Sequence, residues 1–107
     1  MESQNYVELW GAAESEPVFS HENHARRFDK FSLRVERLSG QSDVPVIVAS
    51  EELLRACPVR AGQSLRITGQ LRSFNNRSGQ GSRLVITVFA QSIEPCGGAH
   101  FNRILLS

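Results

Sequence analysis

The sequence predicts an all-β domain with one short helix between its third and fourth strands. Apolar and polar residues alternate along most of the chain, which is the pattern of strands that bury one face. Turn-forming residues separate the alternating runs, and only one segment combines the start, spacing and stop signals of a helix. The length of 107 residues fits a single domain.

The first predicted strand begins at Asn5, and its alternation turns Val7 and Leu9 toward the core. The opposite face of this strand carries Tyr6, Glu8 and Trp10. Gly11 follows, where we expect a bulge or a sharp bend that lets the strand curl. Residues 17–21 are predicted to continue the strand beyond this bend.

The second predicted strand covers residues 28–38 and follows a polar hairpin at residues 24–27. Its inner face is apolar and consists of Phe31, Leu33 and Val35. Its outer face carries Ser32, Arg34 and Glu36. Residues 39–43 have turn chemistry, and residues 44–49 form a short apolar third strand.

The helical segment begins at Ser50, a favourable N-cap, and ends before Pro58. Its apolar stripe consists of Leu53, Leu54 and Cys57. The fourth and fifth strands are predicted at residues 65–72 and 84–93, joined by a polar connection that contains glycine. Three strands, a helix and two strands are the order of a five-stranded OB-fold Greek-key barrel, in which the helix covers one end.

The composition argues against a membrane protein and against a metal protein. No apolar run approaches the roughly 20 residues that span a bilayer, and the polar first residues do not resemble a signal peptide, so we expect a cytoplasmic location. Cys57 and Cys96 have no further ligands at metal spacing and are predicted to be free thiols. His21 and His24 lie in a loop-like stretch without a ligand pattern around them, so we expect no metal and no cofactor.

The positive charge of the chain is supplied almost entirely by arginine. The net charge is only +1, but Lys30 is the single lysine among 12 cationic side chains. Arginine binds phosphate bidentately and stacks its guanidinium group on bases, and lysine does neither as well. This bias favours a nucleic-acid partner.

Four segments resemble, in order, the strands of the bacterial single-stranded-DNA-binding protein family. Residues 5–11 match that family's opening N-x-V-x-L-x-G pattern, and residues 31–37 resemble its second-strand motif of Phe-x-Leu followed by Val and a basic residue. Residues 62–73 are similar to its fourth strand, G-x-x-[apolar]-x-[apolar]-x-G-x-L-R-[S/T], and residues 84–93 to its fifth. The resemblance covers about residues 4–95.

The resemblance implies an OB-fold domain at residues 1–95 that binds single-stranded DNA without sequence preference in replication, recombination or repair. It also implies a homo-oligomer, a dimer or a tetramer, whose subunits pair through the first strand. The interface residues would then be Tyr6, Glu8 and Trp10.

The end of the chain departs from the family's pattern. Members typically end in an acidic tail that recruits partner proteins, and residues 96–107 do not resemble it, so we expect no recruitment of that kind. Residues 102–107, NRILLS, instead repeat the opening NYVELW as N-x-[β-branched]-x-L-x. The extension at 96–107 is therefore either the first strand of a truncated second OB repeat or an ordinary amphipathic strand.

A sequence-independent binder of single strands needs cations for the phosphates and aromatic rings for the bases. The cationic candidates are Arg34, Arg37, Arg66, Arg72, Arg77 and Arg83. We expect Arg34, Arg66 and Arg72 to form a basic stripe across the sheet, with Arg77 and Arg83 beside the long connection. The aromatic candidates for stacking are Trp10, Tyr6, Phe28 and Phe74. A subunit interface is the competing role for Trp10 and Tyr6, and Phe89 is suited to either role.

Two other classes of function were weighed against DNA binding. Catalysis is not expected, because the sequence contains no catalytic-triad order, paired acids, P-loop or metal cluster. The alternative is an OB-fold protein-interaction module of a primosome-like or mobile-element replication complex, with weak DNA binding.

Overall fold

The computed structural model describes residues 5–76, 83–96 and 104–106, and at 73–76, 83–85 and 104–106 it describes the backbone alone. The elements are β1 (Tyr6–Ala13), β2 (Val18–Asn23), β3 (Arg26–Glu36), β4 (Ser42–Asp43), β5 (Val46–Ser50), α1 (Glu51–Ala56), β6 (Ser64–Asn76), β7 (Arg83–Pro95) and β8 (Ile104–Leu106). The described chain is therefore mostly strand with one short helix, as the sequence predicts.

The strands form one sheet in the order β2-β3-β5-β7-β6-β1-β8, and the short β4 pairs with β3. β5 and β7 are parallel, and the other neighbours are antiparallel. β1 also pairs with β3, at Ala12↔Arg34 and Ala13↔Leu33. The five strands β3, β5, β7, β6 and β1 are therefore each paired with the next, and the last of them, β1, pairs again with β3.

The strand count differs from the five that the sequence predicts, because seven strands lie along the main path of the sheet. β1, β3, β5, β6 and β7 are the five expected strands, and α1 lies between the third and fourth of them. The prediction that residues 17–21 continue the first strand is wrong. β2 instead forms a hairpin with β3, from Val18↔Lys30 to Asn23↔Arg26.

The hairpin between β2 and β3 turns at His24 and Ala25, whose φ angles are both positive, 53° and 63°. A two-residue turn of this kind has the twist that antiparallel neighbours require, so the chain reverses there. The turn falls within the polar hairpin that the sequence predicts at residues 24–27. The separate strand β2 is not predicted because residues 17–21 are assigned to the first strand.

The core lies on the inner faces of the strands, as the alternation predicts. Its largest fully buried side chains are Leu9, Leu33, Ile47, Leu65, Ile67, Val7, Val35 and Val88. Each contributes about 1.5–3 kcal/mol through burial. Leu53, Leu54 and Cys57 of the helical segment pack against this core. The Ser50 hydroxyl accepts a hydrogen bond from the Leu53 N–H at 3.2 Å, which confirms Ser50 as the N-cap.

Gly11 and Gly69 lie where two backbones approach closely. The register of β1 with β6 continues regularly through Gly11, so of the two alternatives expected there, a bulge or a sharp bend, the bulge is absent from this pairing. A Cβ atom at Gly11 would clash with the carbonyl oxygen of Arg34, and one at Gly69 with the carbonyl oxygen of Phe89. The irregularity lies between β6 and β7, where Gly69 pairs with Ala90 and leaves Gln91 as the additional residue.

Candidate nucleic-acid interface

One outer surface of the sheet, which we call the front face, crosses β2, β3, β5, β7 and β6. Residues directly opposite each other in paired strands point to the same side, so the register defines rows of side chains across this surface. One row consists of Val18, Lys30, Val48, Phe89 and Gln70. The next row consists of Ser32, Val46, Thr87 and Arg72. Neither row contains an acidic residue.

The centre of the front face is apolar. Val48 is buried but does not belong to the core cluster, and Phe89 is half-buried and does not pack against that cluster. Their neighbours in sequence, Ile47 and Val88, point into the core. Val48 and Phe89 therefore form an apolar floor on the outside of the sheet.

Lys30 and Arg72 lie on the two sides of this floor. The Arg72 Cζ atom is 4.8 Å from the centroid of the Phe89 ring, a distance at which a guanidinium group is attracted to an aromatic face. Within the described part of the chain, neither Lys30 nor Arg72 has a carboxylate partner. Both cations are thus available to phosphate groups.

The β2–β3 hairpin extends the front face with a second aromatic cluster. The rings of His21 and Phe28 are stacked, with centroids 4.9 Å apart and an interplanar angle of 8°. The Arg26 guanidinium lies 5.7 Å from the Phe28 centroid and forms an ion pair with Glu52 at 2.9 Å. Phe28 is therefore a ring on the front face, but one side of it is already covered by His21.

The opposite side of the same hairpin carries another cation–ring pair. Arg27 Cζ is 5.1 Å from the centroid of Phe19, a ring that is 52% exposed. Arg27 also donates to Asp29 at 2.9 Å, and this hydrogen bond and charge raise the pKa of Arg27.

Arg66 lies in a different environment, on the outer surface of β1, β6 and β7, which we call the Arg66 face. The guanidinium donates to Glu8 at 2.7 Å and to Glu94 at 3.2 Å, and lies 5.8 Å from the Trp10 ring. Partial burial lowers the pKa of Arg66, but the hydrogen bonds and charges of Glu8 and Glu94 outweigh it, so the pKa is raised. One cation between two carboxylates leaves this cluster net negative.

Arg34 and Arg37 are also held by carboxylates. Arg34 forms an ion pair with Glu14 at 2.8 Å. Arg37 binds Asp43 through two hydrogen bonds of 2.7 Å each, and this contact lowers the pKa of the Asp43 carboxyl. The bidentate geometry is a fixed link between β3 and β4.

The structure therefore separates the cations that the sequence grouped into one stripe. Arg72 lies on the front face without a carboxylate partner among the described residues, whereas Arg34, Arg37 and Arg66 are each ion-paired. Trp10, Tyr6 and Glu8 lie on the Arg66 face. Arg77 lies outside the described residues, as do the side chains of Phe74 and Arg83.

Sequence reasoning did not select Lys30 or Phe19 as site residues. The signal for Lys30 was present, since it lies at even spacing from Phe28, Ser32 and Arg34 on an alternating strand. The sequence pattern does not single out Phe19, because it assigns residues 17–21 to the first strand, whereas the structure pairs Phe19 with β3.

The same described ranges hold neither a metal-ligand cluster nor a membrane-spanning helix. No group of three or more His, Cys, Asp or Glu side chains there is arranged to hold a metal ion. Cys57 and Cys96 are free thiols, as predicted, and burial raises the pKa of Cys96. No described helix is long and apolar enough to cross a bilayer.

Many solved structures match this chain, and two of them illustrate the shared fold. The dimeric N-terminal domain of PriB from Thermoanaerobacter tencongensis has 35% identity and a TM-score of 0.71, and the match covers 88% of this chain and 98% of that one. A small single-stranded DNA-binding protein from Streptomyces coelicolor has 15% identity and a TM-score of 0.70, with coverage of 89% and 96%. No family model matches the chain, and no curated protein matches it significantly.

These likenesses define the class of protein first, which is that of OB-fold proteins. The 35% identity to the PriB domain, over nearly the whole length of that domain, shows the family as well as the fold. The chain belongs to the family of that PriB N-terminal domain, and its resemblance to the bacterial single-stranded-DNA-binding proteins is confirmed.

Proposed function

We propose that this chain binds single-stranded DNA on its front face, without sequence preference and without catalysis. The observation that carries the proposal is the pair of cations, Lys30 and Arg72, on either side of the apolar floor made by Val48 and Phe89. Unpaired polynucleotides expose phosphates together with the faces of their bases, and this surface offers a partner to each.

The front face also lies where OB-fold barrels usually bind oligonucleotides. We interpret the ring of pairings among β1, β3, β5, β7 and β6 as the closed five-stranded Greek-key barrel, with β2 and β8 added outside it. In such barrels the surface of the second and third strands, here β3 and β5, is the one that binds oligonucleotides. Lys30 and Val48 lie on those two strands.

The test is a titration of labelled oligo-dT by fluorescence anisotropy at several salt concentrations. Lys30→Gln and Arg72→Gln should each weaken binding by about ten- to a hundredfold, because a hydrogen bond to a charged group contributes about 1.5–3 kcal/mol. Each should also reduce the slope of log K against log salt by about 0.7, the value for one phosphate contact on a single strand.

Arg60→Gln is the matched control for these variants. Arg60 is exposed, lies between α1 and β6, and has no carboxylate partner in the described ranges, but it is outside the front face. It should bind oligo-dT with nearly wild-type affinity. An equal loss in all three variants would reveal attraction by bulk charge and would contradict a site on the front face.

The alternative function is that of an OB-fold protein-interaction module. Two exposed apolar side chains of β2 favour it: Val18 is 58% exposed on the front face, and Phe19 is 52% exposed on the opposite side of the hairpin. Such a module would bind oligo-dT weakly and with little dependence on salt. The titration therefore distinguishes the two functions.

Several finer assignments belong to the same proposal. We place the binding domain at residues 1–95 and assign it to replication, recombination or repair in the cytoplasm. The related PriB domain is dimeric. We propose that this chain also self-associates, since a dimer or tetramer presents several sites to one DNA strand and gains affinity from their linkage.

A further inference from the structure

The outer edge of β1 is covered by a segment that resembles β1 itself. β8 pairs antiparallel with β1 at Val7↔Leu106, Glu8↔Leu105 and Leu9↔Ile104. In the repeated motif N-x-[β-branched]-x-L-x, Ile104 corresponds to Val7, Leu105 to Glu8 and Leu106 to Leu9.

The residue pairs between β1 and β8 are those expected of two copies of one strand related by a two-fold axis. When each β8 residue is replaced by its equivalent in β1, Val7 lies opposite Leu9, Glu8 opposite Glu8, and Leu9 opposite Val7. These are the pairings that two copies of β1 would make around an axis through residue 8. The motif and the register were obtained independently, one from the sequence and one from the strand pairing.

The edge that β8 covers would otherwise be open. β3 pairs with β1 only at Ala12 and Ala13, so the other edge of the first half of β1 is covered by β8 alone among the described residues. An edge strand with unpaired N–H and C=O groups is a template for pairing with another chain.

The charge at the centre of this edge is compatible with a second copy. Two facing Glu8 carboxylates would repel each other if they were bare. Each forms an ion pair within its own chain with Arg66, whose nitrogen is 2.7 Å from the Glu8 oxygen and which is shared with the more exposed Glu94. A two-fold pairing would therefore bring together two ion pairs.

We propose that β8 occupies the edge of β1 on which a second copy of this chain pairs. While β8 is seated the edge is closed, and its release permits a two-fold dimer centred on Glu8. This inference rests on the self-association proposed above, but not on DNA binding, since the edge lies outside the front face.

The first test releases β8 in the full chain with Ile104→Pro and Leu105→Pro together. Adjacent residues of an antiparallel pair alternate between hydrogen-bonded and non-bonded positions, so one of the two prolines removes a ladder donor. A tethered strand competes at an effective concentration in the millimolar range, so the dimer dissociation constant should fall by about tenfold or more on release. Sedimentation equilibrium without DNA measures it.

The matched control is Ile104→Val with Leu105→Val, which keeps the backbone donors and the strand propensity and should self-associate as wild type does. A weaker dimer in the proline variant would indicate exchange of β8 between copies and would overturn the proposal. An unchanged dissociation constant, with the fold intact by circular dichroism, would also overturn it.

The second test locates the axis with single cysteines, in a full-length proline variant that also carries Cys57→Ala and Cys96→Ala. Glu8→Cys should form a disulfide-linked dimer on oxidation, since residue 8 faces itself. Tyr6→Cys should not, because its own copy lies about four residues away along the edge, roughly 13 Å, beyond disulfide reach. Cross-linking at residue 6 and not at residue 8 would refute the register.

A third variant does not require β8 to be disrupted. Glu8→Cys with Leu105→Cys, in the full chain without the other two cysteines, should form an intramolecular disulfide because these residues are directly paired. The oxidised form should stay monomeric at concentrations where the reduced form associates. Equal association of both forms would contradict the proposal, whatever the result of the oligo-dT titration.

Discussion

At the scale of single residues, what distinguishes the arginines of this chain is their partners. Arg34, Arg37 and Arg66 each form an ion pair with a carboxylate. Much of their positive charge is therefore balanced by a negative charge of the same chain. Arg72 lies instead against an aromatic ring, 4.8 Å from the Phe89 centroid. A cation that contacts a ring keeps its hydrogen-bond donors for an incoming phosphate, and the ring offers its face to a base.

Phe89 gives a prediction at this scale. Phe89→Leu keeps an apolar side chain but removes the aromatic face, so oligo-dT binding should weaken by about 1–3 kcal/mol, the contribution of one stacked base. The salt dependence should stay unchanged because no phosphate contact is lost. Fluorescence anisotropy at two salt concentrations measures both quantities.

Phe89→Trp is the control, since it restores an aromatic face at the same position and should bind at least as well as wild type. Wild-type affinity in Phe89→Leu would show that the ring does not stack on a base.

The inner and outer faces of the strands could be predicted from the sequence, but the partners of the outer cations could not. Alternation places Phe31, Leu33 and Val35 inward wherever the strand pairs, because a half-buried strand must bury one face. The ion pair of Arg66 with Glu8 joins residues on two strands, so it depends on register, which alternation alone does not give.

At the scale of elements, the β2–β3 hairpin is the main addition to the predicted fold. It carries Phe19, His21, Arg26 and Phe28 away from the core and extends the front face by one strand. Its turn places Ala25 at a φ of 63°, a conformation that costs a residue with a Cβ atom about 1–2 kcal/mol. The hairpin forms in spite of this turn.

Ala25→Gly should therefore stabilise the protein. Removing the Cβ atom relieves the left-handed strain, and the greater freedom of glycine in the unfolded chain offsets part of the gain, leaving about 0.5–1 kcal/mol. The melting temperature should rise by a few degrees, about 4–8 °C per kcal/mol for a domain near this size. Thermal unfolding followed by circular dichroism measures it.

Ala61→Gly is the matched control, because Ala61 lies in another turn and its φ is not positive. It should be neutral or destabilising. A lower melting temperature in Ala25→Gly, equal to that of Ala61→Gly, would contradict the assigned turn.

At the scale of the whole molecule, the front face and the Arg66 face are two regions of the outer surface that meet along β6, where Gln70 of the front face pairs with Tyr6 of the Arg66 face. The front face carries Lys30 and Arg72, which have no carboxylate partner among the described residues, beside an apolar floor, whereas the Arg66 face carries Glu8, Glu94 and Trp10 around an ion-paired arginine. β8 lies beside the Arg66 face on the edge of β1. DNA binding and self-association are thereby assigned to different surfaces of one small domain.

The most direct measurement is amide chemical-shift mapping of the ¹⁵N-labelled full chain during titration with oligo-dT. We predict that the perturbed amides cluster at Lys30, Val48, Arg72, Thr87 and Phe89. The amides of residues 6–10, 66–68 and 92–94 should change little. Perturbations concentrated in those three segments, or no perturbation at a large excess of oligo-dT, would contradict the assignment of single-stranded DNA to the front face.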